Sequence, residues 1–147
     1  MSTRSNIAVV VKNDDLGKTM KFDENKLPKD RVAEGVEVME EVTINKPVVQ
    51  IYHHWDGYPE GVGQTLIDDF NDYDKALNLV LGGDVSSING GCLAYYCARE
   101  GFEGPAQLDT PICEEEYVYK FEDGVWYFQS DEDTEWHNLK EYLDKNK

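Results

Sequence analysis

Arginine is nearly missing from this chain: Arg4, Arg31 and Arg99 are its only three in 147 residues. Lysine does not make up the difference, since 14 basic residues face 30 acidic ones and leave a formal net charge of −16. A chain so short of cations is poorly equipped to neutralise a phosphate backbone, which argues against direct nucleic-acid binding. Long hydrophobic runs are absent too. Nothing approaches the roughly 20 apolar residues of a membrane-spanning helix, and no basic-then-apolar leader opens the chain. The expectation is a soluble protein of the cytoplasm with no membrane partner. Cysteine is sparse: Cys92, Cys97 and Cys113 are odd in number and lack a close-paired spacing. That excludes a disulfide framework and fits free thiols in a reducing compartment. Added to His53 and His54 they still lack the CxxC or HxxxH spacing of a metal site, so no metal and no cofactor are expected. Ser5, Ser86 and Ser87 have no nucleophile-elbow context.

What remains is enough for a folded domain. Forty per cent of residues are hydrophobic, and 9 Tyr, 5 Phe and 3 Trp supply a core for one domain spanning residues 1–147. The pattern predicts an α+β fold, an antiparallel β-sheet with two or three short helices packed on it. Asn6 to Lys12 reads as a strand, Thr19 to Phe22 as a segment pairing back, and Asp23 to Gly35, with Pro28, as a loop. Alternation through Val36, Val38, Val42 and Ile44 suggests a further strand, and Val48 to Trp55 the next. Helices follow over Gln64 to Asn71 and from the capping residue Asp72 to the stop at Gly82-Gly83. Gly82 to Gly91 reads as loop and Cys92 to Ala98 as a strand. Glu116 to Phe121 and Val125 to Gln129 form a hairpin around Asp123-Gly124, and Glu135 to Lys145 a last helix.

The densest chemistry lies in Ile51-Tyr52-His53-His54-Trp55-Asp56-Gly57-Tyr58-Pro59-Glu60-Gly61-Val62-Gly63. Successive side chains of a strand face opposite ways, so Val49, Ile51, His53 and Trp55 share an apolar face and Gln50, Tyr52, His54 and Asp56 a polar one. His53 is therefore expected to pack in the interior. Asp56 is close enough in sequence to orient His54 for acid–base work, for binding a polar ligand, or for holding the turn. The glycines allow close backbone approach ahead of the helix at Gln64, but neither a dinucleotide fingerprint nor a phosphate-binding loop is present. Arg4 sits near the N-terminus, and Arg99 follows Tyr95 and Tyr96. Guanidinium groups beside tyrosines suit a flat anionic ligand.

The opening Met1 to Ala8, the Tyr52-x-His54-Trp55-Asp56-Gly57-Tyr58 motif and the Gly63-to-Leu66 passage into a helix resemble a group of small bacteriophage and prophage proteins. So do Leu81 to Ser87, Arg99-Glu100-Gly101 and the Tyr117-to-Trp126 hairpin. Against that group, residues 23–44 resemble an insertion. The resemblance implies an accessory role against host defence in the bacterial cytoplasm. It carries over no catalytic residues. The leading expectation is a noncatalytic binding protein that sequesters a small anionic, nucleotide-type ligand through Arg4, Tyr52, His54, Asp56, Tyr58, Tyr95 and Arg99. A second is an acidic inhibitor that imitates nucleic acid toward a host defence protein. A third is a small hydrolase using His54 and Asp56, for which no nucleophile presents itself. Edge strands of a small sheet also admit a homo-oligomer.

Overall fold

The two strands that carry the sequence motifs are neighbours. In the computed structural model, which describes residues 3–28, 32–34, 41–88, 92–95 and 105–146, Ser5–Val10 (β1) pairs antiparallel with Val48–His53 (β5). The register sets Ser5 opposite His53 and Ile7 opposite Ile51. Both strands are rich in β-branched residues, which suit a pleated, buried surface. Between them in sequence come Thr19–Met20 (β2), Val32–Glu34 (β3) and Val42–Thr43 (β4), with β2 and β4 forming a small separate ribbon.

After β5 the chain makes a π-helical turn at Pro59–Gly63, then the helices Gln64–Asp69 (α1) and Tyr73–Leu81 (α2). The Asp72 side chain accepts from the Lys75 N–H and starts α2, a cap typically worth about 1 kcal/mol. Val85–Ser87 (β6), Cys92–Tyr95 (β7) and Ala106–Leu108 (β8) return the chain to the sheet. The hairpin Tyr117–Glu122 (β9) and Val125–Ser130 (β10), the strand Asp133–Asn138 (β11) and the helix Leu139–Lys145 (α3) complete it.

The main sheet runs β11-β10-β9-β1-β5-β6-β7-β3, with β8 also on β5. The α+β class holds, but the sheet is mixed. β1 with β9, β5 with β6 and β3 with β7 are parallel pairs. Three local expectations also change: Val32–Glu34, Val85–Ser87 and Asp133–Asn138 are strands where loop or helix was predicted. Of the segment 23–44, residues 29–31 and 35–40 lie outside the described residues. No helix is long and apolar enough to cross a membrane.

One face of the sheet carries Ile7, Val9, Ile51, Tyr119, Phe121 and Trp126, buried beneath the helices. Each such side chain contributes about 1.5–3 kcal/mol relative to exposure. The Trp126 indole N–H donates to the Phe70 carbonyl at 3.0 Å, which ties the hairpin to the end of α1. The opposite face over β1 and β5 is covered by the segment after β8. There buried Gln50 exchanges two hydrogen bonds with the Ile112 backbone, and buried Asn6 accepts from the Glu114 N–H at 2.9 Å.

Candidate functional site

β5 ends at His53, and the turn beyond it is tightly built. The Gly57 N–H donates to the Thr3 carbonyl at 2.8 Å, and the Val62 N–H donates to the Asp56 carbonyl at 2.8 Å. Asp56 adopts a φ of 56°, the left-handed region that costs a residue with a Cβ of its own. A Cβ on Gly61 would lie 2.5 Å from the Asp56 carbonyl oxygen, and one on Gly57 2.8 Å from that of Thr3. Glycine at both positions is thus a packing requirement. The turn joins the N-terminal residues to the end of β5, so the two separate sequence motifs form one surface.

Asn6 and Tyr52 face away from the helices, and the contact between the Tyr52 hydroxyl and His54 keeps His54 beside them. The pairing of β1 with β5 ends at Ser5 opposite His53, so Arg4 and His54 are the residues next to its last pair. The Tyr52 hydroxyl lies 2.6 Å from Nδ1 of His54, and with the hydroxyl donating, the neutral ring keeps its proton on Nε2. His54 also meets Trp55 edge-on, with ring centres 4.6 Å apart. Trp55 is 50% exposed and Tyr58 39%. Arg4 and Asp56 are exposed as well. The surface therefore carries an aromatic ladder, Tyr52-His54-Trp55.

Three expectations change here. Trp55 is not on the core face, because the strand stops at His53 and the chain turns outward. His54 is hydrogen-bonded to the Tyr52 hydroxyl, where orientation by Asp56 is expected. Tyr95 lies in the core, packed edge-on against Phe22 at 5.1 Å with its hydroxyl toward the Leu79 carbonyl, so its ring is not available to a ligand. Arg99, Tyr96 and Cys97 lie outside the described residues, as does the Cys92 side chain. His53 is buried as expected. Burial, and secondarily the neighbouring His54, lowers its pKa to about 3, so it is a neutral imidazole. Its Nε2 has no hydrogen-bond partner among the described residues.

A feature invisible in the sequence lies at the foot of the ladder. The outer edge of β5 is shared, β8 taking Val48 to Gln50 and β6 only His53. Between them the Asp84 carboxylate accepts from the Tyr52 N–H at 3.0 Å. A cavity of 180 Å³ opens in this gap, lined by Asn6, Gln50, Tyr52, Asp84 and Glu114 among others. Burial raises the Asp84 pKa, opposed by the Tyr52 N–H and reinforced by Glu114. The cavity therefore suits hydrogen-bond donors such as hydroxyl or amino groups. Among the described residues no group of three or more His, Cys, Asp or Glu is placed to hold a metal ion. No family model, curated protein or solved structure matches the chain.

Proposed function

We propose that the protein captures a small, flat, anionic ligand of nucleotide type without turning it over. The observation that carries this reading is the exposure of Trp55 and Tyr58 on a turn whose close packing fixes them in place. Exposed aromatic rings are platforms for a base, and stacking is worth about 1–3 kcal/mol per base. Arg4 meets the anionic group. Tyr52 and His54 order the platform, and the Asp84 cavity takes sugar hydroxyls or a base amino group. The resemblance to small bacteriophage proteins supports a setting in host defence, with the ligand an immune signal held in the bacterial cytoplasm. Thermal melting against linear and cyclic nucleotides tests this, followed by mass spectrometry of the released compound. Stabilisation with the compound recovered intact is the expected result. A chemically altered compound replaces capture by catalysis, and no stabilisation by any member of the panel removes the reading.

One observation favours a second reading. The Asp131 N–H donates to the Glu116 carbonyl at 3.0 Å, which brings Glu116 beside Asp131. Burial, and then the charges of Glu60, Glu116, Asp131 and Glu132, raise the Tyr117 pKa. Such a patch suits an inhibitor of a nucleic-acid-binding host protein, recognised by salt-sensitive binding that ignores substitutions at Arg4 and Trp55.

A further inference from the structure

Far from the aromatic surface, at the other end of β1, the acidic chain gathers its lysines. A groove of 490 Å³ is lined by Lys12, Lys26, Asp72, Tyr73, Asp74 and Lys75. A second cleft of 240 Å³ shares Lys26 and Asp74 with it and adds Lys21. Two of the nearby carboxylates are already engaged. Asp72 caps α2 and lies 3.6 Å from the Lys75 ammonium, while Asp15 accepts from the Tyr73 hydroxyl at 2.7 Å and pairs with Lys18 at 3.2 Å. Hydrogen bonding from Tyr73 is the main reason the Asp15 pKa is lowered.

The lysine charges are less well spent. The Lys12 ammonium sits 4.4 Å above the centre of the Tyr73 ring, with the Asp15 carboxylate close enough to act on its charge but not in an ion pair with it. Lys21 and Lys26 make no ion pair with another described residue. Tyr73 is a rigid wall, because its hydroxyl also accepts from the Lys12 N–H at 3.0 Å. With its upper face taken by Lys12, the ring does not offer a stacking platform, so the groove recognises charge. Asp74 is the one carboxylate that opposes an anion in both clefts.

We infer that the groove between Lys12, Lys26 and Lys75 binds a multiply charged phosphate chain, as a site separate from the aromatic surface. Compact ammonium groups on flexible stems bind phosphate as point charges, and a pocket of this volume holds a short polyphosphate with its first water shell. The terminal phosphates of a nucleotide and free inorganic polyphosphate share this chemistry.

Calorimetric titration of the full chain with inorganic pyrophosphate tests the assignment, with sulfate at equal ionic strength as the control. Pyrophosphate is expected to bind more tightly than sulfate. Lys26→Glu weakens it about tenfold or more, the scale of a lost charge-assisted contact. Asp74→Asn tightens it several-fold, which a merely unfolded variant would not do. Arg4→Ala and Trp55→Ala leave it unchanged, so the groove stands or falls apart from the aromatic surface. Adenosine diphosphate matching pyrophosphate assigns the site to the phosphate chain; binding of the nucleotide alone overturns it. No heat with pyrophosphate, or binding indifferent to Lys26→Glu, also overturns it.

Discussion

The Tyr52 hydroxyl lies 2.6 Å from Nδ1 of His54, while the Tyr52 N–H is held 3.0 Å from the Asp84 carboxylate. One residue thus connects the outward aromatic ladder to the gap in the sheet. Tyr52→Phe keeps the ring and removes only the hydroxyl, so it should cost about 0.5–1.5 kcal/mol or less in stability and weaken ligand binding several-fold. Asp84→Ala should weaken ligand binding as well, since the cavity loses its carboxylate, and it should cost more in stability. It removes the carboxylate that accepts from the Tyr52 N–H and should lower unfolding free energy by about 1–3 kcal/mol. Urea unfolding of the two variants separates these effects.

His53 gives the fold a pH dependence. Its folded pKa, lowered to about 3 by burial, lies below the ordinary 6.5 of the unfolded chain. Between those values the unfolded state binds the extra proton. The contribution to stability is therefore full above pH 6.5 and is lost as pH falls toward 3, by up to about 1.4 kcal/mol per unit. His53→Leu removes the titrating group and the unpartnered Nε2 together. Unfolding midpoints from pH 7 down to pH 5 should fall less steeply in that variant than in the parent, with stability at pH 7 within about 1–3 kcal/mol of it. Parallel slopes would show that His53 is not the titrating group.

Gly61 is the tightest point of the turn, since a methyl group there would sit 2.5 Å from a backbone oxygen. Gly61→Ala must move the Asp56 carbonyl, which also accepts from the Val62 N–H. The expected loss is about 1–3 kcal/mol, the scale of overpacking, with ligand affinity falling further as Trp55 and Tyr58 lose their fixed positions. Thermal melting and ligand titration of the same variant measure both.

The acidic patch predicts a salt effect. Glu60, Glu116, Asp131 and Glu132 all act on Tyr117, so like charges crowd one end of β9. Asp131→Asn with Glu132→Gln should raise the melting temperature at low salt, by a shift equivalent to a few tenths of a kcal/mol, and much less at 0.5 M sodium chloride. Melting curves at the two ionic strengths check the sign.

Elements with strong local signals were legible in the sequence: the hairpin turning at Asp123-Gly124, the capped helix after Asp72, and the two strands that meet in the centre. Asp133–Asn138 was not, because it is an edge strand with a single large apolar residue, Trp136, and no alternation to follow. Parallel pairing of β1 with β9 escaped too, since nothing local joins residues more than a hundred positions apart. At the candidate site, the sequence singles out both motifs that the Gly57–Thr3 bond joins, whereas the Asp84 bond to Tyr52 depends on how β6 and β8 divide one strand edge. Tyr95 misled because Tyr-Tyr in sequence looks like a surface platform. Its alternation instead turns one ring to the core against Phe22.

The most direct test of the account is tryptophan fluorescence during nucleotide titration. Trp55 is half exposed, whereas Trp126 is buried and Trp136 partly buried, so a stacked base should quench Trp55 most, and Trp55→Phe assigns the signal. The account predicts saturable quenching by at least one nucleotide, loss of the signal in Trp55→Phe, and binding about tenfold weaker in Arg4→Ala. No saturable change across the panel, or equal affinity in Arg4→Ala and the parent, would contradict it.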